Sequence, residues 1–82
     1  MSWKEEDLGE GKKGLIRTFE FEDFKQAWSF MSDVAELAEE HKHHPNWTNV
    51  YNRVTILLSS HDAGDIITEK DRLLAKAIDE VI

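Results

Sequence analysis

The chain lacks several features, and each absence narrows what the protein can be. It has no cysteine among its 82 residues, so it can form neither disulfides nor thiolate metal sites. No apolar run is long enough to span a bilayer, and the first residues are charged where a signal peptide would be apolar. We therefore expect one small domain over residues 1–82 that is cytoplasmic and has no membrane partner.

Positive charge is also scarce in this sequence. Lysine and arginine together number 10, against 17 aspartate and glutamate residues, so the formal net charge is −7. A surface of this sign repels a phosphate backbone. We therefore expect no direct binding of nucleic acid.

The only proline separates a helical pattern from a strand pattern. Apolar residues recur with a helical period over residues 24–41, after a capping-type start in which Asp23 is followed by Gln26. The helix must end before Pro45, because proline pushes the preceding residue towards extended geometry. A second helix is predicted to start at Thr68, where Asp71 three residues later completes the cap.

Alternating apolar residues predict strands over residues 15–21, 47–51 and 54–59, the last two joined by a tight turn at Asn52-Arg53. The glycine-rich segment 9–14 is typical of a turn and leaves room for a first strand near Trp3. This order predicts an α+β fold, with an antiparallel sheet of about four strands and helices packed on one face.

The apolar arc of the first helix covers about half of its circumference, which is more than one sheet face needs. A chain this short gains stability by burying the excess against a second copy. We therefore expect a homodimer or homotetramer, with Phe30, Val34 and Leu37 as candidate interface residues.

All four histidines lie between residues 41 and 61. Near neutral pH one histidine can donate a proton while another accepts one, so this clustering favours acid–base chemistry. Glu39 lies four residues before His43, a spacing that on a helix would let its carboxylate orient that imidazole. Each histidine could instead be structural, and Asp71 could simply cap the final helix.

A metal site is the competing interpretation of the same histidines. His41, His43, His44 and His61 offer enough nitrogens for zinc. The chain nevertheless has neither the helical His-x-x-x-His spacing nor a cysteine ligand. We therefore expect no metal.

The spacing around the histidines resembles a family signature. Glu39, three residues, His43-His44-Pro45, five residues, Tyr51, nine residues, His61, nine residues and Asp71 resemble the pterin-4a-carbinolamine dehydratases, also called the dimerization cofactor of hepatocyte nuclear factor. The resemblance implies a dehydratase of pterin cofactor recycling, which removes water from 4a-hydroxytetrahydropterin to give quinonoid dihydropterin. The pterin is then the substrate, and no cofactor is needed.

The resemblance also implies roles for individual residues. The catalytic set would be His43, His44 and His61. Glu39 and Asp71 would contact the histidines and not the substrate. Residues that contact the substrate or shape its pocket would be Pro45, Trp47, Ser59, Ser60 and Asp62.

Two departures from the family pattern stand out, and a second function stays open. The sequence begins almost at the first tryptophan, so we expect a domain that lacks the family's usual N-terminal helix, and the family's usual Gly-Gly after the last histidine is Gly64-Asp65 here. The alternative function is a non-catalytic interaction module on the same fold, acting as a transcriptional coactivator or an assembly factor.

Overall fold

The structure is a computed structural model that describes residues 2–82. In chain order its elements are β1 (Lys4–Gly9), β2 (Lys12–Glu20), α1 (Phe24–His41), β3 (Asn46–Val50), β4 (Arg53–Leu58), a short 3-10 turn (His61–Ala63) and α2 (Glu69–Asp79). The four strands form an antiparallel sheet in the order β1-β2-β4-β3. The predicted α+β fold is confirmed.

The core lies between one face of the sheet and the two helices. The core forms because side chains alternate between the two faces of each strand, so that residues two apart point to the same face. In β4, Val54, Ile56 and Leu58 are fully buried, and they pair with β2 residues of the same face, including Leu15 and Phe19. The helices complete this cluster with Ala27, Phe30, Val34, Leu74, Ala75 and Ile78.

Helix α1 begins and ends where the sequence predicts. The Asp23 side chain accepts a hydrogen bond from the Gln26 backbone N–H at 2.9 Å, so it caps the first turn. At the other end Lys42 adopts a left-handed conformation with φ of 51°. This turn leads the chain out of the helix and directs the next two histidines to different surroundings: His43 is buried and His44 is exposed.

The predicted interface residues are wrong for two of the three positions. Phe30 and Val34 are buried in the core of a single chain, where they pack between α1 and the sheet. The apolar side chains of α1 that remain exposed lie at the start of the helix instead. Phe24 and Trp28 are 47% and 58% exposed, and their rings stack with centroids 6.5 Å apart.

The β3–β4 hairpin turns one residue earlier than predicted. The turn residues are Tyr51 and Asn52, and it is Tyr51 that adopts a positive φ, of 52°. The Asn49 side-chain amide donates to the carbonyls of Tyr51 and Arg53, at 3.1 and 2.9 Å. These bonds hold the turn together without the glycine that such a conformation favours.

No helix within residues 2–82 combines the length and the apolar character needed to cross a membrane.

Candidate functional site

Strand pairing explains why distant parts of the sequence meet at one site. β3 begins directly after Pro45, and its first residue, Asn46, pairs with Leu57 near the end of β4. Because the strands are antiparallel, residues that precede β3 lie beside residues that follow β4. The segment with His43 and His44 therefore adjoins the segment from Ser59 to His61.

A cleft of about 260 Å³ opens where these segments meet. This volume lies just below the range of small-molecule sites, which begins at about 300 Å³. Its lining residues are Leu8, His44, Pro45, Asn46, Leu57, Ser59, His61 and Asp65. The structure thus places four of the residues singled out in the sequence, His44, Pro45, Ser59 and His61, on one cleft.

The other singled-out residues do not line the cleft. Trp47 is half-buried against the core, on the helix-covered face of the sheet. Asp62 is exposed in the 3-10 turn. The buried polar residues among residues 2–82 are His43, Ser60 and Asp71, with exposed fractions of 8%, 1% and 0%.

These three buried residues form one hydrogen-bonded network. Oδ1 of Asp71 lies 2.5 Å from Nε2 of His43, and its Oδ2 accepts from the Ser60 hydroxyl at 2.7 Å. The same Oδ2 accepts from the Thr68 backbone N–H at 2.8 Å, which is the predicted helix cap. Burial opposes ionisation of Asp71, but the hydrogen bonds from Thr68, His43 and Ser60 outweigh it, and the pKa of this carboxyl lies below its ordinary value.

The predicted pairing of Glu39 with His43 is wrong. Oε2 of Glu39 lies 2.6 Å from Nε2 of His44 instead. The four-residue spacing places side chains on one face only while the helix continues, and α1 ends at His41. Both side chains of the pair are largely exposed, so it adds little to stability, but it fixes the direction of the His44 ring.

The third histidine also has its own carboxylate. Nδ1 of His61 lies 3.0 Å from Oδ1 of Asp65, and Nζ of Lys12 lies 3.6 Å from the other oxygen. The hydrogen bond with His61 holds the pKa of Asp65 below its ordinary value, with help from the Lys12 charge and against a cost of burial.

Four of the lining residues were not anticipated from the sequence: Leu8, Asn46, Leu57 and Asp65. Strand alternation could have identified Leu57, because it lies on the same face of its strand as Ser59. The signal for Asp65 was its place after Gly64, where the resemblance implies a second glycine. No sequence pattern indicated Leu8, which lies in a strand 36 residues before His44 and 53 before His61.

Two imidazoles on one cleft, each held at one ring nitrogen by a carboxylate, can exchange protons with a bound molecule. Residues 2–82 contain no group of three or more histidine, aspartate or glutamate side chains placed to hold a metal ion. The expectation of a metal-free protein stays a prediction.

The family model and the relatives that match this chain agree on one family. Residues 1–81 match the family model described as pterin 4 alpha carbinolamine dehydratase. Relatives provisionally named pterin-4-alpha-carbinolamine dehydratase include one from Rhizorhabdus wittichii, 48% identical over 73 residues, which span 89% of this chain and 74% of the relative. Another, from Christiangramia forsetii, is 49% identical over 71 residues, which span 87% of this chain and 72% of the relative.

Solved structures agree with the sequence comparison. The crystal structure of a transcriptional coactivator/pterin dehydratase from Brucella melitensis has a TM-score of 0.88 and 36% identity, covering 98% of this chain and 81% of that one. A pterin dehydratase-like protein identified as a RuBisCO assembly factor in the alpha-carboxysome has a TM-score of 0.80 and 28% identity, covering 98% and 88%. The chain therefore belongs to the pterin 4 alpha carbinolamine dehydratase family.

Proposed function

We propose that the protein is a pterin-4a-carbinolamine dehydratase that removes water from a 4a-hydroxytetrahydropterin by histidine acid–base catalysis. The observation that carries this proposal is the pair formed by His44 and His61. Both line the same cleft, and each has one ring nitrogen bonded to a carboxylate, which leaves the other nitrogen for proton exchange.

The reaction needs only two proton transfers. The bond between C4a and the hydroxyl oxygen breaks while one imidazolium gives its proton to that oxygen, which leaves as water. The lone pair on the adjacent ring nitrogen forms the new C=N bond, and the proton on that nitrogen passes to an imidazole. No electrons are exchanged with another molecule, so a pair of histidines supplies all the groups required.

His43 enters the proposal as the histidine fixed beside His44 by the buried Asp71 carboxylate. A side chain that is 8% exposed has little freedom to move, so it supports a preorganised site. Contacts of the substrate with Pro45 and Ser59 belong to the same proposal, because both residues line the cleft. The contacts with Trp47, Ser60 and Asp62 that the resemblance implies are not part of it, because these three residues do not line the cleft.

The direct test is a stopped-flow assay on freshly generated 4a-hydroxytetrahydropterin. We expect the protein to form quinonoid dihydropterin faster than the spontaneous dehydration does. Turnover no faster than the spontaneous reaction would contradict the proposal.

A second candidate is a non-catalytic interaction module. Two observations favour it: the likeness to the RuBisCO assembly factor, and the exposed, stacked rings of Phe24 and Trp28 on α1. The dehydratase assay separates the candidates, because an interaction module needs no proton exchange at the cleft.

We also propose that the protein is a homo-oligomer, either a dimer or a dimer of dimers. Phe24 and Trp28 expose an apolar surface that a second copy could bury. β3 is an edge strand without charged residues, whereas the other edge strand, β1, carries Lys4, Glu5, Glu6 and Asp7. Charges on an edge oppose pairing with another chain, so β3 is the edge better suited to it.

A further inference from the structure

We propose that Asp65 is a positioning residue that fixes the ring of His61 and makes Nε2 its proton-exchanging nitrogen. This inference rests on the proposed function, in which His61 acts on the substrate. It concerns a position where the sequence departs from the pattern of the resembled family and where no role was anticipated.

A single contact, with Asp65, orients the imidazole ring of His61. The His61 side chain is 95% exposed, so packing does not hold the ring. Its hydrogen bond to Asp65, at 3.0 Å, is the one side-chain bond that this ring makes within residues 2–82. One directional bond therefore sets which way the imidazole faces.

The chemistry of that bond also selects a tautomer. An ionised carboxylate can only accept hydrogen bonds, so Nδ1 of His61 must carry the proton that Asp65 binds. The depressed pKa of Asp65 keeps the carboxyl ionised across the neutral range. Nε2 is then the nitrogen that exchanges a proton, whether the ring is neutral or charged.

Asp65 is itself held firmly enough to act as an anchor. Its backbone N–H donates to the carbonyl of Ser60 at 3.0 Å, and its own carbonyl accepts from the Lys13 N–H at 2.8 Å. Lys12 adds an ion pair from the neighbouring strand β2. The residue has a φ of 60°, a conformation in which glycine is the least strained choice.

The positive φ of Asp65 allows the carboxylate to be removed without straining the backbone. Asp65→Gly removes the carboxylate while the backbone can keep its positive φ, so the fold should persist. Asp65→Asn keeps a neutral acceptor at the same place. Glu10→Gly is the matched control, because Glu10 is also exposed, also has a positive φ, of 54°, and also loses one negative charge.

Two measurements are made on each variant: the nitrogen chemical shifts of the His61 imidazole by NMR, and kcat and KM in the dehydratase assay. We expect the neutral His61 of the wild type and of Glu10→Gly to hold its proton on Nδ1. Asp65→Gly should lose this preference and should lower kcat about tenfold, a part of what acid–base catalysis contributes, with KM changed less than about twofold. Asp65→Asn should restore the Nδ1–H tautomer and part of the rate.

The outcomes separate this inference from the proposed function. An Asp65→Gly variant that keeps the wild-type tautomer, or that keeps full kcat in an active enzyme, would overturn the role of Asp65 alone. A wild type without dehydratase activity that still shows the Asp65-dependent tautomer would overturn the proposed function and leave the positioning of His61 in place.

Discussion

Nε2 of His43 lies 2.5 Å from Oδ1 of Asp71, and this contact joins the exit of helix α1 to the first turn of helix α2. Both side chains are buried, and Ser60 from the segment after β4 bonds the same carboxylate. One buried carboxylate thus connects three segments, and two of them, at His43 and at Ser60, adjoin residues that line the cleft. Stability and site geometry are coupled through Asp71.

Replacing Asp71 with asparagine should destabilise the protein. The substitution removes a charge that accepts bonds from His43, Ser60 and Thr68, and an amide cannot accept all of them. We expect the free energy of unfolding at pH 7 to fall by about 3 kcal/mol, as for other buried charged networks that lose one partner. Urea unfolding followed by circular dichroism measures this change. Glu69→Gln, in the exposed first turn of α2, is the control and should change stability by less than about 0.5 kcal/mol.

The contribution of Asp71 to the free energy of unfolding should decrease as the pH falls. Its pKa is lower in the folded protein than the ordinary value of 3.8, so the unfolded chain takes up the proton first as the pH falls. The stabilisation is therefore complete above about pH 5 and is lost as the pH drops further through the folded pKa. Unfolding measured from pH 7 to pH 2 should show a steeper acid loss in the wild type than in Asp71→Asn. Parallel curves for the two proteins would contradict this role.

Removing the imidazole of His44 should abolish most of the activity. If this ring exchanges a proton with the substrate, His44→Ala should lower turnover about a hundredfold or more. The exposed side chain leaves no cavity when truncated, so circular dichroism should show an unchanged fold. His41→Ala is the matched control, since His41 lies in the last turn of α1 and does not line the cleft. Equal activity of the two variants would exclude His44 from the chemistry.

The purified protein should contain no stoichiometric zinc, and a chelator should leave its dehydratase rate unchanged. The reason is chemical: each cleft histidine is bonded to its own carboxylate, and the described residues offer no set of three converging ligands. Elemental analysis and assays with and without chelator check this prediction. One tightly bound metal ion per chain would replace the proposed mechanism with a metal-assisted one.

Assembly should depend on the exposed rings at the start of α1. In a closed two-fold assembly this surface would face its own copy, so Trp28→Glu should place like charges close together and split the oligomer. Lys25→Glu also places a glutamate on this exposed part of the helix but keeps both aromatic rings, so it should leave the mass unchanged. Multi-angle light scattering at micromolar concentration measures the mass. A wild-type monomer would contradict the proposed homo-oligomer.

Local sequence patterns determined the elements of this fold, because caps and periodicities act over a few residues. Asp23 and Gln26 mark the start of α1, and the residues before Pro45 end it near His41, as the structure confirms. The alternation of Val54, Ile56 and Leu58 identified the buried face of β4 for the same reason. The histidine-rich segment was equally visible, since it lies in one continuous stretch of the chain.

Only the tertiary structure decided which carboxylate holds which histidine. The left-handed turn at Lys42 sends His43 into the interior towards Asp71, 28 residues away, and leaves Glu39 to His44. No local pattern encodes such a pairing, because it depends on the register of β3 against β4 and on how α2 packs against α1. The bond between His61 and Asp65 likewise depends on a positive φ at a non-glycine residue, a conformation that is set by the backbone bonds of Asp65 to Ser60 and Lys13.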